Sequence, residues 1–203
     1  MKGYYTIKDG VYSLEIKRSE FIAYAYSIES EEQALEYLAA LRKKHYDARH
    51  VCYAYVVDEQ GNRARFSDDG EPGGTAGMPI LDAIKNNDLK KTLIAVVRYF
   101  GGILLGAGGL VRAYSDSAAG VIAESGKVFM QYSDLYKIEA DYSLYKRISR
   151  AIEALGKVTH IEYGSGVTVT LSVPSGSVVT EKITDASGGK ATAVFIGNHY
   201  TEI

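Results

Sequence analysis

Three carboxylates within four positions, Asp68, Asp69 and Glu71, stand in a stretch that also holds Gly70, Pro72, Gly73, Gly74, Thr75 and Gly77. Oxygen ligands spaced this way could hold a hard cation or serve as a general acid and base. The same residues also suit a structural task. A carboxylate just ahead of a helix stabilises its positive end by ~0.3 to 1 kcal/mol, and an aspartate can tie a glycine-rich loop through bonds to backbone N–H groups. Residue types alone leave both readings open.

A second stretch answers the first. Arg98-Tyr99-Phe100-Gly101-Gly102 closes the apolar run that starts at Thr92, and Gly106-Ala107-Gly108-Gly109 then opens a helical pattern. Gly101 to Gly106 has the glycine spacing of a phosphate loop, but Ala107-Gly108 stands where a Lys followed by Ser or Thr is needed for phosphate and magnesium. The dinucleotide fingerprint fails too, for want of a third glycine at Val111. What remains is a tight turn with close backbone packing, or an anion cradle at the helix start near Gly108 with Arg98 or Arg112 beside it. Any site lies between these two loops.

Other chemistries have thin support. The four histidines, His45, His50, His160 and His199, show no i, i+4 pairing among themselves, and Cys52 is the only cysteine, which excludes an internal disulfide and cysteine-based zinc sites. Cys52 reads as buried core. Ser67 has no sequence-evident base and there is no G-x-S-x-G elbow. His50 is the histidine to follow, because its strand ends near the acidic loop. Seventeen tyrosines accompany no tryptophan, and Tyr24, Tyr26, Tyr53 and Tyr55 alternate at strand spacing. They could stack bases on an open sheet face, or serve as amphipathic sheet-face residues. Lys17, Arg18, Arg42, Lys43, Lys44 and Arg49 could gather beside them as a basic patch.

The elements that must position these residues follow from periodicity. Asp9-Gly10 predicts a hairpin between strands at 4–7 and 12–16. Alternation through 21–28, with apolar residues on both faces, predicts a strand covered on both sides. Ser30 and Gln33 form a capping box for a helix with Ala34, Leu35, Leu38 and Leu41 inward. The spacing then gives a strand over 51–57, a helix after Thr75 as N-cap, a central strand over 92–97 and a helix over 108–124. Beyond Val128 the order is strand (135–142), helix capped by Ser143, a hairpin (157–163 and 167–173), a helix within 174–186 and a strand over 191–196. That order is βαββαβ, the ferredoxin-like one.

With 203 residues, 46% of them hydrophobic, and a formal charge of −2, the chain can bury one large or two modest cores, and neither half is basic enough to be a nucleic-acid module by charge alone. No run approaches the ~18 apolar residues of a membrane span, and the first residues lack the apolar core of a signal peptide. The expected location is cytoplasmic, without membrane association.

The two glycine-rich stretches also carry a resemblance. R-F-S-D-D-G-E-P-G-G-T-A-G-M-P-I-L over 65–81 and V-V-R-Y-F-G-G-I-L-L-G-A-G-G-L-V-R-A-Y over 96–114, with His50 and Cys52 in place within 48–55, resemble the YigZ/IMPACT family in its bacterial two-domain form. The resemblance implies an α+β protein. Residues 1–127 would form a two-layer α/β domain of the ribosomal-protein-S-five domain-two-like kind, and residues 128–203 a ferredoxin-like sandwich similar to domain V of elongation factor G. Eukaryotic relatives act in translational control by binding the activator of the amino-acid-starvation kinase.

The resulting expectation is a non-enzymatic cytosolic binding protein whose partner is the ribosome, structured RNA or a translation-associated protein. Asp68, Asp69, Glu71, Gly73, Thr75, Arg98, Tyr99, Gly101, Gly102, Gly108 and Arg112 would form its contact cleft, with no catalytic residue, metal or cofactor assigned. The alternative is an enzyme or binder acting on a phosphate-bearing small molecule, with 101–109 cradling phosphate and the three carboxylates holding magnesium. A third reading gives the glycine loops only a packing role.

Overall fold

A computed structural model describes residues 2–202, which divide into two compact units, residues 4–129 and residues 130–202 together with 2–3. The first unit is built on a five-stranded antiparallel sheet of order β2-β3-β6-β4-β5. Its strands are β2 (Gly10–Ile16), β3 (Ser19–Ser27), β4 (His50–Val56), β5 (Ala64–Ser67) and β6 (Thr92–Tyr99). The continuous apolar run Thr92–Val97 takes the middle of the sheet, where both faces are buried.

Each face has its own core. Phe21, Ala23 and Ala25 of β3 join Cys52, Ala54 and Val56 of β4 under α2 (Gly77–Asn86) and α3 (Gly106–Ser125). The alternate residues, with Tyr24, Val51, Tyr55, Leu93 and Val97 among them, pack with Ala34, Leu38 and Leu41 of α1 (Glu31–Lys44). The double alternation of β3 thus translates into helices on both sides, one layer more than the two expected. Leu35 is the exception in the α1 stripe: it is exposed, because Ala34, Leu38 and Leu41 already span the face that meets the sheet.

The first hairpin differs from expectation. The strand β1 (Gly3–Ile7) does not pair with β2, and within the second unit the Tyr132 N–H donates to the Lys2 carbonyl at 2.9 Å. Asp9 instead fastens the end of β3, accepting from the Ser27 N–H at 3.1 Å. A Cβ on Gly10 would collide with Ser125 Oγ, so this glycine serves close approach to the end of α3 rather than a turn. The true hairpin joins β2 to β3 across Lys17-Arg18, and both residues have positive φ, 48° and 66°. A two-residue turn with both centres left-handed is the kind that favours Asn-Gly. Two lysine-like side chains there carry conformational strain that a reading of turn residues overlooks.

The second unit has the strand order β10-β7-β9-β8, all antiparallel, with β7 (Lys127–Ala140), β8 (Lys157–Tyr163), β9 (Val167–Pro174) and β10 (Ala193–Glu202). Helices α4 (Tyr142–Leu155) and α5 (Val179–Ser187) lie over Ile138, Val169 and Leu171. This is the ferredoxin-like arrangement that the element order predicts. Asp141 rather than Ser143 caps α4, accepting from the Leu144 N–H at 2.7 Å, and α5 begins five residues later than the start of its predicted range, beyond the turn after Pro174.

Replacing Lys17-Arg18 by Asn-Gly should raise the stability of the chain. The gain expected from relieving left-handed strain is about 1 to 2 kcal/mol, read as a higher urea midpoint at unchanged slope.

Candidate functional site

Glu71 and Arg98 meet in the interior of the first unit. Arg98 Nη1 donates to Glu71 Oε1 at 2.7 Å, and the Tyr114 hydroxyl of α3 donates to the same oxygen at 2.8 Å. Glu71 and Arg98 are 9% and 6% exposed. The Arg98 guanidinium carbon lies 5.4 Å from the Phe21 ring centroid and 5.5 Å from that of Phe100, so two aromatic faces also neighbour the cation. One oxygen of the acidic loop is thereby joined to the root of the second glycine loop and to α3. Burial pushes the Tyr114 hydroxyl far above its ordinary range, and the nearby Cys52 and Glu71 push it the same way.

The other carboxylates are also engaged within the chain. Asp68 Oδ1 accepts from the Ala76 and Gly77 N–H groups at 2.9 and 2.8 Å, and Oδ2 from Gly74 N–H at 2.9 Å. Asp68 therefore caps α2 from eight residues upstream, the role the sequence suggested for Thr75. Thr75 Oγ1 instead donates to the Pro72 carbonyl at 2.7 Å and closes the loop. The N-cap position itself is Ala76, which has no side chain able to bond. Gly77 has its own constraint, since a Cβ there would lie 2.8 Å from the backbone of Ser67.

Asp69 faces the reverse side. Its carboxylate accepts two bonds from Arg42 of α1, at 2.8 and 3.0 Å, and one from the Val51 N–H at 2.7 Å. Its carbonyl accepts from His50 Nδ1 at 2.8 Å, which gives His50 a loop-holding role. Asp69 has φ 43° and Gly70 φ 85°, so the chain turns sharply at this point, and the His50 ring lies 3.5 Å from where a Gly70 Cβ would be. Burial alone would raise both aspartate carboxyls. Backbone N–H bonds outweigh it at Asp68, and Arg42 with the Val51 N–H outweighs it at Asp69, so both sit below the usual carboxylate range.

Cys52 lies beneath the loop, its thiol 3.0 Å from the Asp68 carbonyl and 3.3 Å from the Tyr114 hydroxyl. Burial pushes the thiol up to about 12, as befits an inert core residue. On the second loop, Gly101 presses on the β2–β3 turn: a Cβ would land on the backbone of Arg18, and the Gly101 N–H donates to Ser19 Oγ at 3.1 Å. Tyr99 points to the opposite face, bonded to His45 and Asp47. The structure thus brings Asp68, Glu71, Thr75, Arg98 and Gly101 into one tightly bonded frame and leaves Arg112 exposed on α3. Among the described residues no cluster of His, Cys, Asp or Glu has metal-binding geometry.

Several apolar side chains on and beside the two loops are exposed. Phe100, Ile103 and Leu104 of the second loop are 47%, 42% and 82% exposed. Phe66 just before the first loop, Met78 just after it and Val111 on α3 are exposed as well. Gly73, Gly74, Gly102, Gly106 and Gly108 have nothing near the place a Cβ would occupy, so their backbone faces open space. The available signal was Ile103-Leu104-Leu105 set between glycines, where a solvent-facing loop is normally polar. The stacked tyrosines, by contrast, face each other: Tyr26 lies 4.2 Å from Tyr37, and Tyr53 lies 6.0 Å from Tyr55, on the α1 side of the sheet.

A sheet layered with helices, linked to a ferredoxin-like unit and carrying two interlocked glycine loops, defines a two-domain α+β protein of the kind the motifs at 65–81 and 96–114 suggest. The model of the Impact N-terminal domain matches residues 17–122, and that of a domain of unknown function, DUF1949, matches 138–190. The chain belongs to the IMPACT family. It is 34% identical to IMPACT family member YvyE of Bacillus subtilis, over 94% of this chain and 90% of that protein. It is 33% identical to IMPACT family member YigZ of Escherichia coli, over 86% and 88%. A crystal structure described as that of a hypothetical protein shares 30% identity, covers 97% of this chain and 98% of its own, and superposes with a TM-score of 0.63.

Breaking the central pair should be expensive. Arg98→Ala leaves Glu71 buried without its cation, and the expected loss is about 3 to 5 kcal/mol in urea unfolding. The aspartates predict an acid limb. Their carboxyls are depressed on folding, so the stability they contribute is complete above the unfolded value of ~4 and is lost as pH falls below it. Asp68→Asn should flatten that limb in unfolding measurements between pH 5 and pH 2, at the cost of lower stability at neutral pH.

Proposed function

We propose that this chain is a translation-associated regulatory protein that acts by docking, with the apolar rim of the two glycine loops as its contact surface. One observation carries the reading: the charged residues of the loops are engaged within the chain, Glu71 by Arg98, Asp68 by backbone N–H groups and Asp69 by Arg42, whereas Phe100, Ile103, Leu104, Phe66 and Met78 are exposed. Exposed aromatic and methionine side chains on a rigid frame, with arginine beside them, have the composition of a protein interface. The link to translation rests on the family resemblance carried by the motifs at 65–81 and 96–114, which implies a role in translational control. A ribosomal or translation-factor protein fits this surface better than bare RNA, because Lys17, Arg18 and Arg112 supply too few exposed cations for strong phosphate binding.

The phosphate reading retains one supporting observation. The α3 N-terminus has no side-chain cap and no acidic residue in its first turn, so its N–H groups remain suited to an anion. Both readings can be tested together. Co-sedimentation with ribosomes and separated subunits should pellet the wild-type chain with only shallow salt dependence, and Ile103→Ser with Leu104→Ser should weaken binding at least tenfold. Retention by the variant would move the contact elsewhere. Absence of binding even at low salt, together with a thermal shift in nucleotide and magnesium, would favour the phosphate ligand.

A further inference from the structure

The last turn of α1 reaches the sheet through a chain of five polar groups. Lys44 Nζ donates to the Tyr24 hydroxyl at 3.1 Å, Tyr24 lies 2.7 Å from His45 Nε2, His45 Nδ1 lies 2.8 Å from the Tyr99 hydroxyl, and Tyr99 donates to Asp47 Oδ1 at 3.2 Å. The donor at one end, Lys44, and the acceptor at the other, Asp47, fix the protons in between. Tyr99 gives its proton to Asp47, so it must accept from His45, and Nδ1 therefore carries the imidazole proton. Nε2 is then the acceptor for the Tyr24 hydroxyl, whose oxygen is receiving Lys44. Every hydroxyl gives one bond and takes one, and only a neutral imidazole completes the series.

A second proton on His45 does not fit. Nε2–H would face the Tyr24 hydroxyl, whose own proton would lose its acceptor in a site where Tyr24 and His45 are buried. The charged groups that face His45 are Lys44 on α1, Asp47 after it and Glu20 on β3, with the Tyr24 and Tyr99 rings 5.6 and 5.9 Å away. Burial, then Lys44, lowers the imidazole from its ordinary value, and Asp47 and Glu20 oppose them.

The chain's position gives the titration a target. Tyr99 is the residue before Phe100, so His45 holds the root of the second glycine loop, and Arg42, three residues earlier on α1, holds Asp69 of the first. We propose that the hydrogen-bonded chain through His45 is a proton-sensitive lock on the second glycine loop, closed while the imidazole is neutral and released when it is protonated. Because the imidazole is harder to protonate in the folded chain than in the unfolded one, the lock's contribution is complete above the unfolded value of ~6.5 and is lost as pH falls through and below it. The lock does not depend on what docks at the loop.

Proton NMR of the His45 ring, alongside hydrogen exchange of residues 99–105 corrected for its intrinsic pH dependence, tests this in the full chain. In the wild type, His45 should titrate below ~6.5, and exchange of the loop should rise at least fivefold between pH 7.5 and pH 5 while the core of β6 stays protected. Tyr24→Phe removes the donor to Nε2 and should move the titration upward. His45→Gln keeps one donor and one acceptor, and its loop exchange should be the same at both pH values. An imidazole that titrates normally in the wild type, or unmoved by Tyr24→Phe, overturns the proposal. So does loop exchange that follows pH equally in His45→Gln. Should His45→Gln not fold, a wild-type loop whose exchange ignores the His45 titration gives the same negative answer.

Discussion

The first unit depends on a charge pair that water scarcely reaches. Glu71 and Arg98 come from segments 27 residues apart, and neither can be buried alone, because an isolated charge in the interior costs several kcal/mol. Arg98 is carried by the central strand, so its position is fixed by the sheet. Glu71 must then be brought to it, which sets the course of the acidic loop. Tyr114, donating to the same oxygen, sets the depth at which α3 lies. The buried Arg98 Nε–H has no partner among the described residues, a cost accepted within this arrangement.

Around that pair the two neighbouring aspartates divide their work by face. Asp68 looks toward α2 and replaces the side-chain cap that Ala76 cannot provide. Asp69 looks toward α1 and takes Arg42 and the Val51 N–H. Consecutive residues reach opposite sides because the chain turns at Asp69 with positive φ. The acidic loop is therefore a joint between the helices on both faces of the sheet, and its glycines allow the turns that such a joint requires.

Much of this architecture was legible in the sequence, and the losses have physical causes. The strand pattern of β3, the run of β6, the Ser30 cap and the βαββαβ order all follow from local periodicity, and all are present. Periodicity could not show that Asp9-Gly10 serves close packing, because Lys17-Arg18, a poor turn by residue type, makes the hairpin instead. Thr75 was a sound local cap, but Asp68 displaces it from eight residues upstream, a contact created by tertiary folding. The structural reading of the carboxylates was available from Asp-to-backbone bonding. Their particular partners, Arg42, Arg98 and Tyr114, were not, since those pairs span 27 to 43 residues.

Cys52 gives this arrangement a reporter. It is the only cysteine in the chain, its thiol is buried and protonated at neutral pH, and it touches both the Asp68 carbonyl and Tyr114. A thiol reagent has nothing else to modify, and it reaches this sulfur only when the acidic loop or α3 lifts away. The rate of alkylation is then a direct count of how often the joint opens in the native protein, obtained without any substitution.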